Sequence, residues 1–155
     1  ATLNKQKIAK PTKVLNEETV TVPFSYVNSI YSLLAAIVVL ILLNKKGLQI
    51  TYFVLAGLLG LFFSLVGLYS LHEEILWNYN ILLFNPLLLI FAYFYWKNNS
   101  SKIILFGQIC IAFTLIYLAY IVSKVQLLIV LPIVVLHLFW LIKIVIEKRK
   151  TSTNN

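Results

Sequence analysis

Five blocks of about 20 mostly apolar residues, joined by short polar segments, take up most of this chain. They lie at about residues 24–43, 48–71, 75–96, 103–122 and 125–146. A helix needs roughly 20 such residues to cross the ~30 Å hydrocarbon layer of a bilayer. Blocks this long do not fit around one water-excluding centre. The chain is therefore expected to be an all-α, polytopic membrane protein with about five transmembrane helices. Composition agrees: 12% of the residues are charged, against about 25% in a typical soluble domain.

The joints set the organisation. They are Asn44-Lys45-Lys46-Gly47, His72-Glu73-Glu74, the segment from Lys97 to Lys102, Ser123-Lys124, and Glu147-Lys148-Arg149-Lys150. Residues 1–23 form a polar lead-in carrying Lys5, Lys7, Lys10 and Lys13, too short to fold alone. It reads as a connector from something upstream. Residues 24–147 make the five-helix transmembrane domain, and 148–155 a basic and polar tail. The first apolar block has no clear small-residue cleavage site and reads as a span rather than a signal peptide. Trp77 and Trp96 are spaced to cover ~28 Å of helix, placing an aromatic anchor at each interface of the third span.

Charge gives an orientation. With the N-terminus outside, Lys45, Lys46, Lys97, Lys102, Lys148, Arg149 and Lys150 all become cytoplasmic, and the outer joints carry only Lys124 beside Glu73 and Glu74. Positive charge in short joints favours the cytoplasm, so the N-terminus is expected outside and the C-terminus in the cytoplasm. The same scatter of cations argues against a nucleic-acid partner, despite a net charge of +8. Membrane lipid is the expected surrounding partner.

Polar residues in or beside the spans are the candidate functional positions. His72, Glu73, Glu74, Asn78 and Asn80 gather at one interface. They could form a notch for a headgroup, a cation or a peptide terminus, with His72 as a base oriented by a glutamate. The bland alternative is a solvated loop whose asparagines cap the third helix. A metal site is poorly supported: adjacent His and Glu diverge by about 100° on a helix, and no second histidine is near in sequence. Asn85-Pro86 falls midway along the third span, where proline removes a backbone donor and kinks the helix. The kink either serves packing or breaks the helix beside a substrate crevice. His137 lies mid-span in the fifth block. A hydrogen bond to Gln108 or Thr114 would satisfy it without chemistry; otherwise it is a functional group by default.

Gly57, Gly60, Ser64 and Gly67 form a small-residue stripe on the second span, suited to close helix approach. Cys110 sits alone in an apolar block and reads as packing. The chain contains no Asp, no nucleotide loop, no nucleophile elbow and no paired zinc-ligand motif. No catalytic residue, metal or cofactor is assigned.

The run from His72 through Asn78-Tyr79-Asn80-Ile81-Leu82-Leu83-Phe84-Asn85-Pro86-Leu87 resembles the membrane region of the Lnb-type lipoprotein N-acyltransferase family. The lead-in, with Asn4-Lys5-Gln6-Lys7-Ile8 and Pro11-Thr12-Lys13-Val14-Leu15, resembles the connector leaving that family's soluble domain. The resemblance implies an outward-facing, thiol-hydrolase-like domain upstream of several membrane helices. This chain would supply the connector and the membrane part. His72, Asn78, Asn80 and Pro86 match the membrane pattern, and no catalytic residue carries over. The implied role is the anchoring, substrate-presenting module of a bacterial inner-membrane acyltransferase-like protein, with a lipoprotein as substrate. Two competing expectations come from other classes. One is a structural subunit of a membrane complex, partnered through the small-residue stripe. The other is a small transporter or channel using Asn85 and His137.

Overall fold

The computed structural model describes residues 29–69 and 78–153. The lead-in and the joint at His72, Glu73 and Glu74 lie outside them, as does Trp77. The described residues form six helices: α1 (Ile30–Leu43), α2 (Lys46–Tyr69), α3 (Asn80–Leu83), α4 (Leu87–Trp96), α5 (Ser100–Ile121) and α6 (Leu127–Thr153). By length and composition α2, α5 and α6 can each cross a membrane, while α1 and the α3–α4 pair are shorter apolar helices. The 27 residues of α6 measure roughly 40 Å at ~1.5 Å per residue. This helix therefore outruns a ~30 Å hydrocarbon layer and carries its basic end beyond it.

Turn chemistry at the joints is local and legible. Asn44 closes α1 in the left-handed region at φ 39°, its N–H donating to the Leu40 carbonyl. Asparagine tolerates that conformation better than other non-glycine residues. Asn98 does the same after α4, at φ 60°. Asn99 then caps α5, its side chain accepting from the Lys102 N–H at 3.2 Å. A Ser/Thr/Asn/Asp cap answers one of the orphan donors that every helix N-terminus carries.

The third span is two helices rather than one kinked helix. Helix α3 is a single turn, Phe84 leaves the helical region at φ −93°, ψ 78°, and α4 restarts after Pro86. The freed backbone groups find partners nearby. The Asn85 side chain accepts from the Leu87 N–H at 2.9 Å. The Asn85 and Pro86 carbonyls take the N–H groups of Leu88 and Leu89. Such partners let non-helical backbone persist at membrane depth.

Helix α2 packs on both α3 and α4, α4 and α3 pack on α5, and α6 lies along α5 and against α1. The interior is aromatic. Phe53, Phe91 and Trp140 are fully buried, and Phe53 meets Phe91 edge-on with centroids 5.0 Å apart. The perimeter is apolar too, with Val38, Leu55, Phe62, Leu115, Leu128 and Ile142 exposed. A continuous apolar exterior of this kind suits lipid, not water.

Gly60 is where α2 meets the break. A Cβ built on it would lie 1.8 Å from the Phe84 carbonyl oxygen, and one on Gly57 would lie 2.9 Å from the Leu89 backbone nitrogen. Gly47, by contrast, has nothing within 4 Å. Gly60→Val is therefore expected to cost about 1–3 kcal/mol or more through forced backbone displacement. The fall in thermal midpoint of the detergent-solubilised protein measures it. Gly47→Ala should leave that midpoint close to the parent's, and equal midpoints for both variants would contradict the account.

Candidate functional site

Polar side chains concentrate in two places, a notch at one end of the bundle and a buried cluster in its middle. The notch starts from the turn before α3. Asn78 Oδ1 accepts from the Asn80 N–H at 3.1 Å, an Asx-type bond that opens the helix. Asn80 Oδ1 in turn accepts from the Tyr117 hydroxyl at 2.9 Å, tying α3 to α5. Tyr79 stacks on Tyr120 with centroids 3.9 Å apart and planes 26° from parallel. Lys124 lies over the other ring system of that pair, its Nζ 5.4 Å from the Tyr120 centroid. With Gln126 and Val130 these residues line an open recess of about 460 Å³.

The opposite end is basic. Lys46 lies over the Tyr95 ring, Lys97 over Trp96, and the Lys148 ammonium donates to the Asn98 side chain. A chain of side-chain bonds underlies it: Tyr95 donates to Gln49 Oε1 at 2.6 Å, and Gln49 Nε2 donates to Asn44 Oδ1 at 2.8 Å. These bonds pin the start of α2 to α4 and to the α1 terminus.

In the middle, His137 is fully buried on α6. Its Nδ1 lies 3.0 Å from the Tyr52 hydroxyl of α2. A hydroxyl donating to Nδ1 places the ring proton on Nε2; a protonated Nδ1 donates to the hydroxyl oxygen instead. The expected partners are not used. Gln108 is exposed on α5, and the Thr114 hydroxyl donates to the Cys110 carbonyl at 2.8 Å. His137 Nε2 and Trp140 Nε1 have no partner among the described residues.

The sequence candidates thus separate. Asn78 and Asn80 come together in the notch. Asn85 and Pro86 form the break, with Asn85 8% exposed. His137 belongs to the interior, away from both. Gly57 and Gly60 face α4 and the break, Ser64 returns its hydroxyl to the Gly60 carbonyl at 2.8 Å, and Gly67 is buried. His72, Glu73 and Glu74 lie outside the described residues. Sequence reasoning missed Tyr117, Tyr120 and Gln126 as notch residues, and Tyr52 as the histidine's partner. The spacing of Tyr117 and Tyr120, three apart and one turn before the Lys124 joint, was an available signal for a shared helix face. Nothing local points to Tyr52, which is 85 positions from His137. Among the described residues, no group of three or more His, Cys, Asp and Glu side chains is placed to hold a metal ion.

A family model described as the Lnb transmembrane domain matches residues 16–154. No curated protein and no solved structure matches the chain.

Tyr52→Phe removes the interhelical bond to His137 while keeping the ring. Such bonds between membrane helices average about 0.6 kcal/mol, with values up to about 1.7. A loss in that range is expected in detergent unfolding, and in the His137→Leu background the same change should cost nothing further. Strictly additive losses in the double-mutant cycle would mean that the two side chains do not interact.

Proposed function

Because this chain belongs to the family of Lnb transmembrane domains, we propose that it anchors an outward-facing acyltransferase-like catalytic domain in a bacterial inner membrane and presents lipoprotein substrate to it. The observation that carries this reading is the notch. It is a recess of about 460 Å³, lined by both polar and apolar side chains, at the bundle end opposite the basic joints and directly after the His72 segment in sequence. Charge supports an outward-facing notch. Lys45, Lys46, Lys97, Lys102, Lys148, Arg149 and Lys150 belong to the other end, and Lys124 alone of the described cations belongs to this one. A substrate whose lipid anchor lies in the outer leaflet would then reach the recess from the side, with its polar head at the level of Asn78 and Asn80.

The subunit alternative loses its main support. Two residues of the small-residue stripe, Gly57 and Gly60, are occupied by Leu89 and Phe84 of the same chain and so are closed to a partner. A conducting path through His137 is equally disfavoured, because that ring has no exposed surface.

Orientation is tested by labelling single cysteines in a Cys110→Ser background with a membrane-impermeant maleimide. Ser123→Cys should label in intact cells and Asn98→Cys only after lysis; the reverse pattern would invert the topology. The presenting role is tested in the protein carrying its catalytic domain. Replacing His72, Asn78 and Asn80 together with Ala should lower lipoprotein N-acylation about tenfold or more, the equivalent of ~1.4 kcal/mol in substrate positioning, with membrane insertion unchanged. Full acylation would leave the module as an anchor only.

A further inference from the structure

The groups lining the notch have a consistent chemical sign. Lys124 is its only ionic residue among those described, with no carboxylate beside it. The ammonium has the Tyr120 ring as its neighbour and no acidic partner among the described residues. The amides are donors in excess. Asn80 spends its carbonyl oxygen on Tyr117, and Asn78 spends its own on the Asn80 N–H, so both keep their NH₂ groups unpartnered among the described residues. The Gln126 side chain likewise has no protein partner there. One ammonium and three amides, with no carboxylate among the described residues that line the notch, suit an anion rich in acceptor oxygens.

The recess also has an apolar side. Ile121 and Val130 line it, and Val125, 92% exposed, stands beside its rim. An amphiphile fits this division better than a soluble ion: a charged head among the amides, and chains running down the lipid-facing surface of α5 and α6. A quaternary ammonium headgroup fits poorly, because the aromatic face that would receive it is already covered by the Lys124 ammonium.

We propose that the notch binds the phosphate of an anionic phospholipid, with Lys124 neutralising it and the Asn78, Asn80 and Gln126 amides donating to its oxygens. Tyr117 is a positioning residue: its hydroxyl holds the Asn80 carbonyl and thereby turns the NH₂ group toward the ligand. The proposal rests on the reading of the notch as the face where this module meets lipid, and it names the headgroup class held there.

The test uses the full chain in detergent, presented with mixed micelles of phosphatidylglycerol or phosphatidylcholine, with bound lipid counted by native mass spectrometry. Phosphatidylglycerol should be retained over phosphatidylcholine. Lys124→Gln should reduce that retention about tenfold, the loss expected for one charge-assisted contact. Lys124→Arg should preserve it, and Tyr117→Phe should weaken it to a lesser degree. Lys124 stands in an exposed turn, so folding of the variants is expected, and circular dichroism checks it. Retention unchanged in a folded Lys124→Gln protein, or equal retention of the two lipids, overturns the proposal. Displacement of phosphatidylglycerol by millimolar inorganic phosphate would identify a soluble anion site and overturn the lipid assignment. Lipoprotein acylation in the parent protein separates this proposal from the presenting role: lost lipid selectivity with intact acylation would uphold the headgroup site and remove presentation.

Discussion

Backbone N–H and C=O groups have no water to turn to inside a bilayer, and a proline at mid-span leaves some of them without helical partners. The structure depends on how that deficit is met at Phe84, Asn85 and Pro86. The Asn85 side chain substitutes for a missing carbonyl, and the next two N–H groups close short turns onto Asn85 and Pro86. Helix α2 accommodates the displaced Phe84 carbonyl only because Gly60 offers no side chain at that point. The break, the glycine and the asparagine therefore act as a unit. It frees α3 to lie on α5, which brings Asn80 to Tyr117 and creates the notch.

The same rule governs most of the other buried polar groups, His137 Nε2 and Trp140 Nε1 being without a partner among the described residues. Gln49 bridges Tyr95 and Asn44, Thr114 bonds back to the Cys110 carbonyl, and His137 meets Tyr52. Each bond either joins two elements or satisfies its own helix, so polarity at depth is spent on fixing helix positions. The notch differs because, among the described residues, the Asn78 and Asn80 NH₂ groups and the Gln126 side chain have no protein partner.

Much of this architecture was written in local sequence signals. The apolar blocks and Lys/Asn joints marked the helices, and Asn44, Asn98 and Asn99 sit at helix ends as their turn preferences dictate. Asn85-Pro86 marked the irregularity in the third span. What it did not reveal was whether the helix bends or stops, because that depends on Gly60 lying opposite. The site was half legible. Asn78 and Asn80 stood out as amides at an interface, whereas Tyr117 and Tyr120 resembled ordinary span aromatics. His137 drew attention for the cost of burying it, but its partner is set by the packing of α2 against α6, and no short-range pattern encodes Tyr52.

The central claim is that the broken third span lays its first turn on the end of α5. Cysteines at positions 79 and 120, in a Cys110→Ser background, test it most directly in native membranes. The rings at these positions stack 3.9 Å apart, so a short bifunctional thiol reagent should link the pair rapidly, and far faster than a pair at positions 79 and 96. Failure of the 79–120 pair to link, in protein that is folded and reachable by the reagent, would contradict the account.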